Sequence, residues 1–455
     1  MRLAWFSPMP PVRSGVATCS AELVPALRTS HAIDVFVDEP VVTGGPGLRQ
    51  SWRDATSAGL RSAHDFVYLH HQQPYDLTVY QIGNSSCHDY IWPYLFRYPG
   101  LAVLHDARLH HARAAALLRE GRKEAYRAEF AANEPDVLLE AAELAVAGFD
   151  SRLHYEWPFT RLLASVSRVT AVHSRAARDT LSDENPSARV EFVRLGHGTP
   201  LAPPEVDQRR RAARARLGVD EGAVLFGVFG GITPEKRISR ILDALKTVAP
   251  YTPSARLLLA GPPAAHYDVR QDISDRGLDS RVIVTGYLET EDELTDAIAA
   301  CDVTLNLRWP TAREISGPWL RCLAAGRATV IVDLTHTSDL ASLDPRTWTS
   351  NAPDDTPPIT VAVDILDEDH SLRRAMRRLA SDAPLREALG QAGRAYWQRE
   401  HSREVMLEDY RRVLAQAAAT PPPEVGLPPH LREDGTGLLV GILGEFGVPV
   451  PWSKI

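Results

Sequence analysis

Cysteine is scarce in this chain of 455 residues: there are four, Cys19, Cys87, Cys301 and Cys322, and no two stand at C-x-x-C spacing. That excludes a disulfide framework or a cysteine zinc site as the organising principle and fits a reducing compartment. Long apolar runs are missing too. A membrane-spanning helix needs about 20 apolar residues in succession, and the longest stretch near the end, Leu438 to Leu443, is far shorter. The opening Met1-Arg-Leu-Ala-Trp-Phe6 has neither the apolar region nor the cleavage site of a secretory signal. A cytoplasmic protein is expected, with any membrane contact peripheral and at the inner face. Nor is there an excess of positive charge. Fifty Lys and Arg stand against 58 Asp and Glu, a net −8, so wholesale nucleic-acid binding is not expected.

What is present is an alternation of short apolar runs with amphipathic stretches. This pattern predicts an α/β protein with parallel sheets covered on both faces. The length suits two domains of roughly 150–220 residues. In the first half, Leu3–Phe6, Ile33–Val37, Phe66–Leu69, Leu77–Ile82, Leu101–Leu104, Val169–Val172 and Val190–Leu195 read as strands. A helix is expected near Ala17–Leu27, and long helices across 108–148. The pattern breaks at 201–219, which begins Leu-Ala-Pro-Pro and continues as an Arg-rich helix, so the interdomain linker is placed there. A second strand set follows at Val224–Phe229, Ala255–Ala260, Val282–Val284 and Val303–Leu307. Between the first two lies a helix whose Ile238, Ile241, Leu242 and Leu245 fall on one stripe. Residues 371–417 read as charged helices and 418–434 as an extended Pro-rich segment.

Two segments carry candidate chemistry. In Val228-Phe-Gly230-Gly231-Ile-Thr-Pro-Glu-Lys236-Arg237 a strand runs into two glycines, and Thr233 and Pro234 are expected to open a helix. Glycines let a ligand approach the backbone, and a helix start with a lysine in its first turn suits a phosphate. Without a ligand the same residues make an ordinary strand-to-helix turn with a solvated lysine. The second segment, Arg313-Glu314-Ile-Ser316-Gly317-Pro-Trp-Leu-Arg321, follows a strand at the sheet edge where open α/β folds bind ligands. Glu314 can accept sugar hydroxyls there, and the N–H groups of Ser316 and Gly317 can meet phosphate. A Glu and a Ser capping a helix is the plainer alternative.

With these residues in place, the chain resembles the large retaining family of GT-B glycosyltransferases (glycosyltransferase family 4-like, glycosyl transferases group 1). The glycine turn with Pro-Glu-Lys and the Glu loop before Leu-Ala-Ala-Gly326 match its donor half. In order along the chain, Ser7–Gly15 resembles its first glycine loop, and Leu101-Ala-Val-Leu-His105-Asp106 its strand ending in an active-site His. Val169–Ser174 resembles the last strand of the first domain, Leu259-Ala-Gly261-Pro the Gly-Pro turn, and Val282–Gly286-Tyr287 the segment lining the nucleotide base.

The resemblance implies a GT-B fold: two Rossmann-like parallel-sheet domains facing a central cleft. The first, 1–200, would take the acceptor, and 220–395 would take the nucleotide-sugar donor. A helix over 396–417 would cross back, and 418–455 would form a Pro-rich tail. It implies transfer of a sugar from a nucleoside-diphosphate sugar to an acceptor hydroxyl, with retention of configuration, by a hexosyltransferase-type enzyme. No cofactor is implied beyond the substrate itself. No metal is expected either, since no Asp-x-Asp stands at a strand end.

The implied catalytic residues are His105, Lys236 and Glu314. Those at the donor are Gly15, Gly230, Gly231, Arg237, Gly261, Gly286, Tyr287, Ser316, Gly317 and Arg321; those at the acceptor are Asn84, His88 and Asp106. The acceptor would be a glycan, a lipid-linked molecule or a small molecule. A basic stretch from Arg108 to Lys123 could face a lipid-linked acceptor or anionic surface, although Glu120 and Glu124 interleave with it.

The chain also departs from the family. Gly230-Gly231 stands where many members have Gly-Arg, leaving Arg237, Arg313 or Arg321 to replace a phosphate-binding arginine. The family's second Glu aligns near Arg321. A non-catalytic nucleotide-sugar-binding protein and a GT-B sugar-nucleotide epimerase are the alternatives.

Overall fold

The computed structural model describes residues 1–38, 60–149, 154–433 and 436–448. The last residues of the expected tail, 449–455, and residues 434–435 within it lie outside the described residues. The chain divides into two compact units. One comprises Met1–Val172, Arg178–Phe192 and Arg411–Ile455; the other comprises His173–Ala177 and Val193–Tyr410.

The first unit is built on a seven-stranded sheet. Its strands are β1 (Arg2–Phe6), β2 (Ala32–Val37), β3 (Leu60–Ser62), β4 (Leu77–Ile82), β5 (Leu101–Leu104), β6 (Val169–Val172) and β7 (Val190–Phe192), in the order β3-β2-β1-β4-β5-β6-β7. Each pairing is parallel. Every residue of β4 and of β5 is buried, as expected of strands covered on both faces. The segment expected as a strand at Phe66–Leu69 is instead the helix Phe66–Gln72. Phe66 alone is buried there, while Val67 and Tyr68 face outward. A four-residue apolar run cannot by itself distinguish the two states. Residues 108–148 are helical but broken into Lys123–Asn133 and shorter pieces on either side.

The second unit repeats the plan. Its strands are β8 (Leu225–Phe229), β9 (Arg256–Ala260), β10 (Val282–Gly286), β11 (Val303–Asn306), β12 (Ala328–Asp333), β13 (Ser342–Leu343) and β14 (Thr360–Asp364). Their order is β10-β9-β8-β11-β12-β14-β13, again all parallel. The helix Ile238–Val248 buries Ile238, Ile241, Leu242 and Leu245 against this sheet, the stripe its periodicity predicts. Residues placed in the linker form the helix Pro203–Leu217, which packs within this unit. Arg214 holds it there: its buried guanidinium donates to the carbonyls of Ala300 and Ala223 and to Asp302, whose Oδ2 also accepts from Leu225 N at 2.8 Å.

Both sheets reverse direction at equivalent places. Successive strands run outward from β1 to β3, then the chain returns to place β4 on the other side of β1. In the same way, β8 lies between β9 and β11. At such a switch point the loops leaving two neighbouring strands separate and open a crevice.

Candidate functional site

In the second unit the loops leaving β8 and β11 are the two segments singled out in the sequence. β8 ends at Phe229, and Gly230 follows at φ +85°, a conformation that favours glycine. Gly230 N donates to Ala260 O at 2.9 Å and Ile232 N to Pro262 O at 2.8 Å, so this loop lies directly on the loop after β9. A Cβ on Gly261 would collide with the Gly230 carbonyl, which explains the glycine of the Gly-Pro turn.

The helix start differs from expectation. Pro234–Lys236 form a single 3-10 turn, Arg237 adopts a left-handed conformation (φ +60°), and the α-helix begins only at Ile238. Lys236 therefore sits in a separate turn beneath the glycines. Its Nζ donates to the Phe229 carbonyl and lies where a Cβ on Gly230 would be 2.9 Å away. Burial pushes its pKa down to about 7; the positive charge of Arg308 adds to the shift, and Cys322 and Glu314 oppose it.

The loop after β11 is stitched to this turn by Trp309 N, which donates to Glu235 O at 2.7 Å. Glu314 accepts from Thr311 Oγ1 at 2.6 Å and pairs with Arg308 Nε at 2.5 Å. Ser316 caps the helix Gly317–Ala324, its hydroxyl accepting from Trp319 N at 3.4 Å. Pro318 comes within 3.7 Å of the position of a Gly230 Cβ, so the start of that helix, with the Ser316 and Gly317 N–H groups, adjoins the glycine turn. Gly230, Lys236, Glu314, Ser316, Gly317 and Gly261 are thus brought together. Gly286 turns the chain at φ +75° after β10, and Tyr287 beyond it is exposed. An added Cβ on Gly231 would meet only Thr233, at 3.9 Å.

The three arginines considered for the missing phosphate contact have different fates. Arg237 is clamped by the buried carboxylate of Glu368, with Nε to Oε1 at 2.7 Å and a second bond from Nη2. Arg321 is paired with Glu291. Arg313 stands at φ +58°, with its N–H donating to Thr311 Oγ1 at 3.1 Å. Two residues missed in the sequence belong to the site. Arg308 stands two residues beyond the end of β11, and a basic residue at that sheet edge was a readable signal. His197 lies against Gly317, where a Cβ would meet its Cδ2 at 3.2 Å; burial and then the charge of Arg321 lower its pKa to about 3, so the ring is neutral. Nothing local marks His197, which is brought in by the chain's passage between the units.

In the first unit the loops leaving β4 and β5 gather the other candidates. His105 Nε2 and Gln81 Oε1 are 2.8 Å apart; the amide oxygen accepts, so the ring proton is on Nε2 and Nδ1 is the acceptor. Asp106 Oδ2 accepts from Asn84 N at 2.6 Å, and Asn84 Oδ1 from Ala112 N at 2.8 Å. His88 is fully buried. Its Nδ1 donates to Gln81 O at 3.0 Å, and burial pushes its pKa down to about 4. It supports Gln81 from beneath. Gly15 opens the helix Gly15–Leu27 behind the Ser14 cap, and a Cβ there would meet nothing within 4 Å.

The basic stretch is thinner than its sequence suggests. Arg113 turns inward to Glu129 (Nε to Oε2, 2.7 Å) and His110 is buried, which leaves His111, Arg119, Arg122 and Lys123 exposed, the last three beside Glu120 and Glu124.

Residues 223–362 match the family described as glycosyl transferases group 1. The alpha-D-kanosaminyltransferase of Streptomyces kanamyceticus is 27% identical over 180 residues, 40% of this chain and 45% of that protein, so the match spans under half of that relative's length. Among solved structures, HepE of Anabaena in complex with UDP-glucose aligns with TM-score 0.61 at 14% identity, covering 91% of this chain and 99% of that one. Sucrose-phosphate synthase of Thermosynechococcus elongatus aligns with TM-score 0.59 at 15% identity, covering 91% and 98%. The chain is thus similar to glycosyl transferases group 1 over 223–362, and its fold is of the GT-B type.

Proposed function

We propose that this protein transfers a hexosyl group from a nucleoside-diphosphate sugar to an acceptor hydroxyl, with retention at the anomeric carbon and without a bound metal. The observation that carries the reading is the arrangement around Lys236. An ammonium is folded under Gly230, beside the open start of the helix Gly317–Ala324 and the Glu314 carboxylate. A leaving diphosphate needs positive charge and N–H donors aimed at it, and Glu314 is of the right chemistry to accept hydroxyls of the sugar. HepE, of the same fold, is described with UDP-glucose, which favours a nucleotide sugar as donor, and the Streptomyces relative is named as a kanosaminyltransferase, which favours transfer of a sugar.

In the proposed step the acceptor oxygen bonds to the anomeric carbon as the bond from that carbon to the diphosphate oxygen breaks. The acceptor proton passes to the leaving phosphate. No pair of glycosidase carboxylates is then required. His105, with Nδ1 as acceptor and Nε2 anchored on Gln81, is suited to orient a hydroxyl. Asn84 and Asp106 beside it suit the acceptor.

The test is a panel of UDP-, GDP-, ADP- and TDP-sugars with mixed acceptors. Released nucleotide and the anomeric configuration of the product by NMR are the readouts. An inverted product would remove the retaining assignment. Nucleotide binding with no turnover across the panel would favour a non-catalytic binding protein instead. Conversion of donor with no acceptor present would favour an epimerase.

A further inference from the structure

We propose that Arg308 is the second cation on the donor diphosphate, taking the place of the phosphate-binding arginine that Gly231 lacks; this rests on the donor-site reading above. The first support is position. Arg308 stands two residues beyond the end of β11 at Asn306, the strand that pairs with β8 at the switch point. The β8 and β11 loops are joined at the next residue, where Trp309 N meets Glu235 O.

The second support is charge. Arg308 lies near enough to Lys236 for its charge to act on that ammonium. Two cations gathered at one strand edge repel each other, and negative charge beside them makes the arrangement favourable. Glu314, paired to Arg308 at 2.5 Å, offsets one positive charge, and a diphosphate supplies at least two negative ones.

The third support is availability. Arg237 is held by two bonds to a buried carboxylate, so withdrawing it would leave Glu368 charged and buried. The Arg308 side chain is 49% exposed, and its partner is itself a member of the site. An arginine there can present two parallel N–H groups to phosphate oxygens, which a lysine cannot. Glu314 then both aims Arg308 and remains beside the sugar.

The experiment compares nucleoside diphosphate with the corresponding monophosphate by calorimetry, using UDP/UMP, GDP/GMP and ADP/AMP. The wild-type chain is expected to bind one diphosphate far more tightly than its monophosphate. Arg308→Ala should cut that preference at least tenfold and leave monophosphate affinity within about twofold, the loss of one charged hydrogen bond. Arg308→Lys should recover part of it. Arg308→Ala takes the ion-pair partner from the mostly buried Glu314, so melting curves are recorded beside the titrations, and Arg308→Lys, which keeps the charge, separates a lost phosphate contact from a loosened fold. An unchanged diphosphate preference in Arg308→Ala would overturn the assignment while leaving the donor site standing. Failure of every diphosphate to bind the wild-type chain would overturn the donor-site reading and this inference with it.

Discussion

Lys236 is where sequence, burial and chemistry meet most closely. Its ammonium is placed against a carbonyl and a glycine, and in the proposed reaction it balances charge that grows as the diphosphate departs. A single donor of this kind is worth about 3–4 kcal/mol of barrier. Lys236→Ala should therefore lower kcat by two to three orders of magnitude, on the order of the same energy, with an unchanged circular dichroism spectrum. Near-normal transfer by that variant would take Lys236 out of the mechanism.

The same residue makes donor binding depend on pH. In the free protein its pKa is lowered to about 7, so above pH 7 the amine is mostly neutral. A bound diphosphate favours the charged form and raises the pKa. Affinity should thus be flat below pH 7 and fall as pH rises through it, by up to about tenfold per unit, with one proton taken up. Calorimetry at pH 8 in buffers of different ionisation enthalpy measures that uptake; zero uptake would contradict it. Because the Arg308 charge helps hold the pKa down, Arg308→Ala should shift the fall to higher pH. The stability of the unliganded protein carries the opposite slope. Between the folded and unfolded pKa values the unfolded chain holds more protons at Lys236, so this residue's contribution improves as pH rises from 7 towards the ordinary lysine range.

At the scale of elements, the glycine turns were legible and the turn geometry was not. Gly230, Lys236 and the stripe of the helix Ile238–Val248 follow from local pattern. The break at Arg237 does not. A left-handed arginine is held there by Glu368, which lies 131 residues further on, and no local propensity encodes that. His197 escaped for a related reason: it matters only because another segment is folded against it, whereas Arg308 carried a readable signal in its place at the sheet edge. In the same way Phe66–Gln72 was misread because its apolar run is too short to reveal a period.

The contact between the β8 and β9 loops is a test at this scale. Gly261→Ala forces a methyl into the Gly230 carbonyl, backbone against backbone, with no flexible side chain to give way. The variant should lose about 2 kcal/mol or more of stability, and its diphosphate affinity should fall with it. Denaturant unfolding together with calorimetry measures both. A variant of wild-type stability would mean that the two loops are not in this contact.

For the whole molecule, two halves of alternating strands and helices were readable but their strand order was not, and both candidate clusters sit at the switch points that this order creates. The path of the last residues was less legible, because a Pro-rich segment has no period to read. In the structure His430 Nε2 reaches Glu129 Oε1 at 2.8 Å, joining the carboxylate that Arg113 already holds. Arg412 pairs with Glu191 at 2.8 Å, also within the first unit. His430→Ala should remove about 1 kcal/mol from the docking of this segment and speed limited proteolysis between 420 and 433. Unaltered cleavage would show that His430 contributes nothing to its retention.

That return path fixes an order of completion during synthesis. The second unit ends at Tyr410, whereas the first draws on Arg411 and beyond. As the ribosome advances from the amino terminus, the later-encoded unit has all its residues before the earlier-encoded one does. The first unit must wait, with Glu129 and Arg113 lacking their His430 partner, until the final stretch has left the exit tunnel. A nascent chain arrested shortly after the last strand-and-helix pairs of the second unit have emerged would therefore carry one finished unit and one still open.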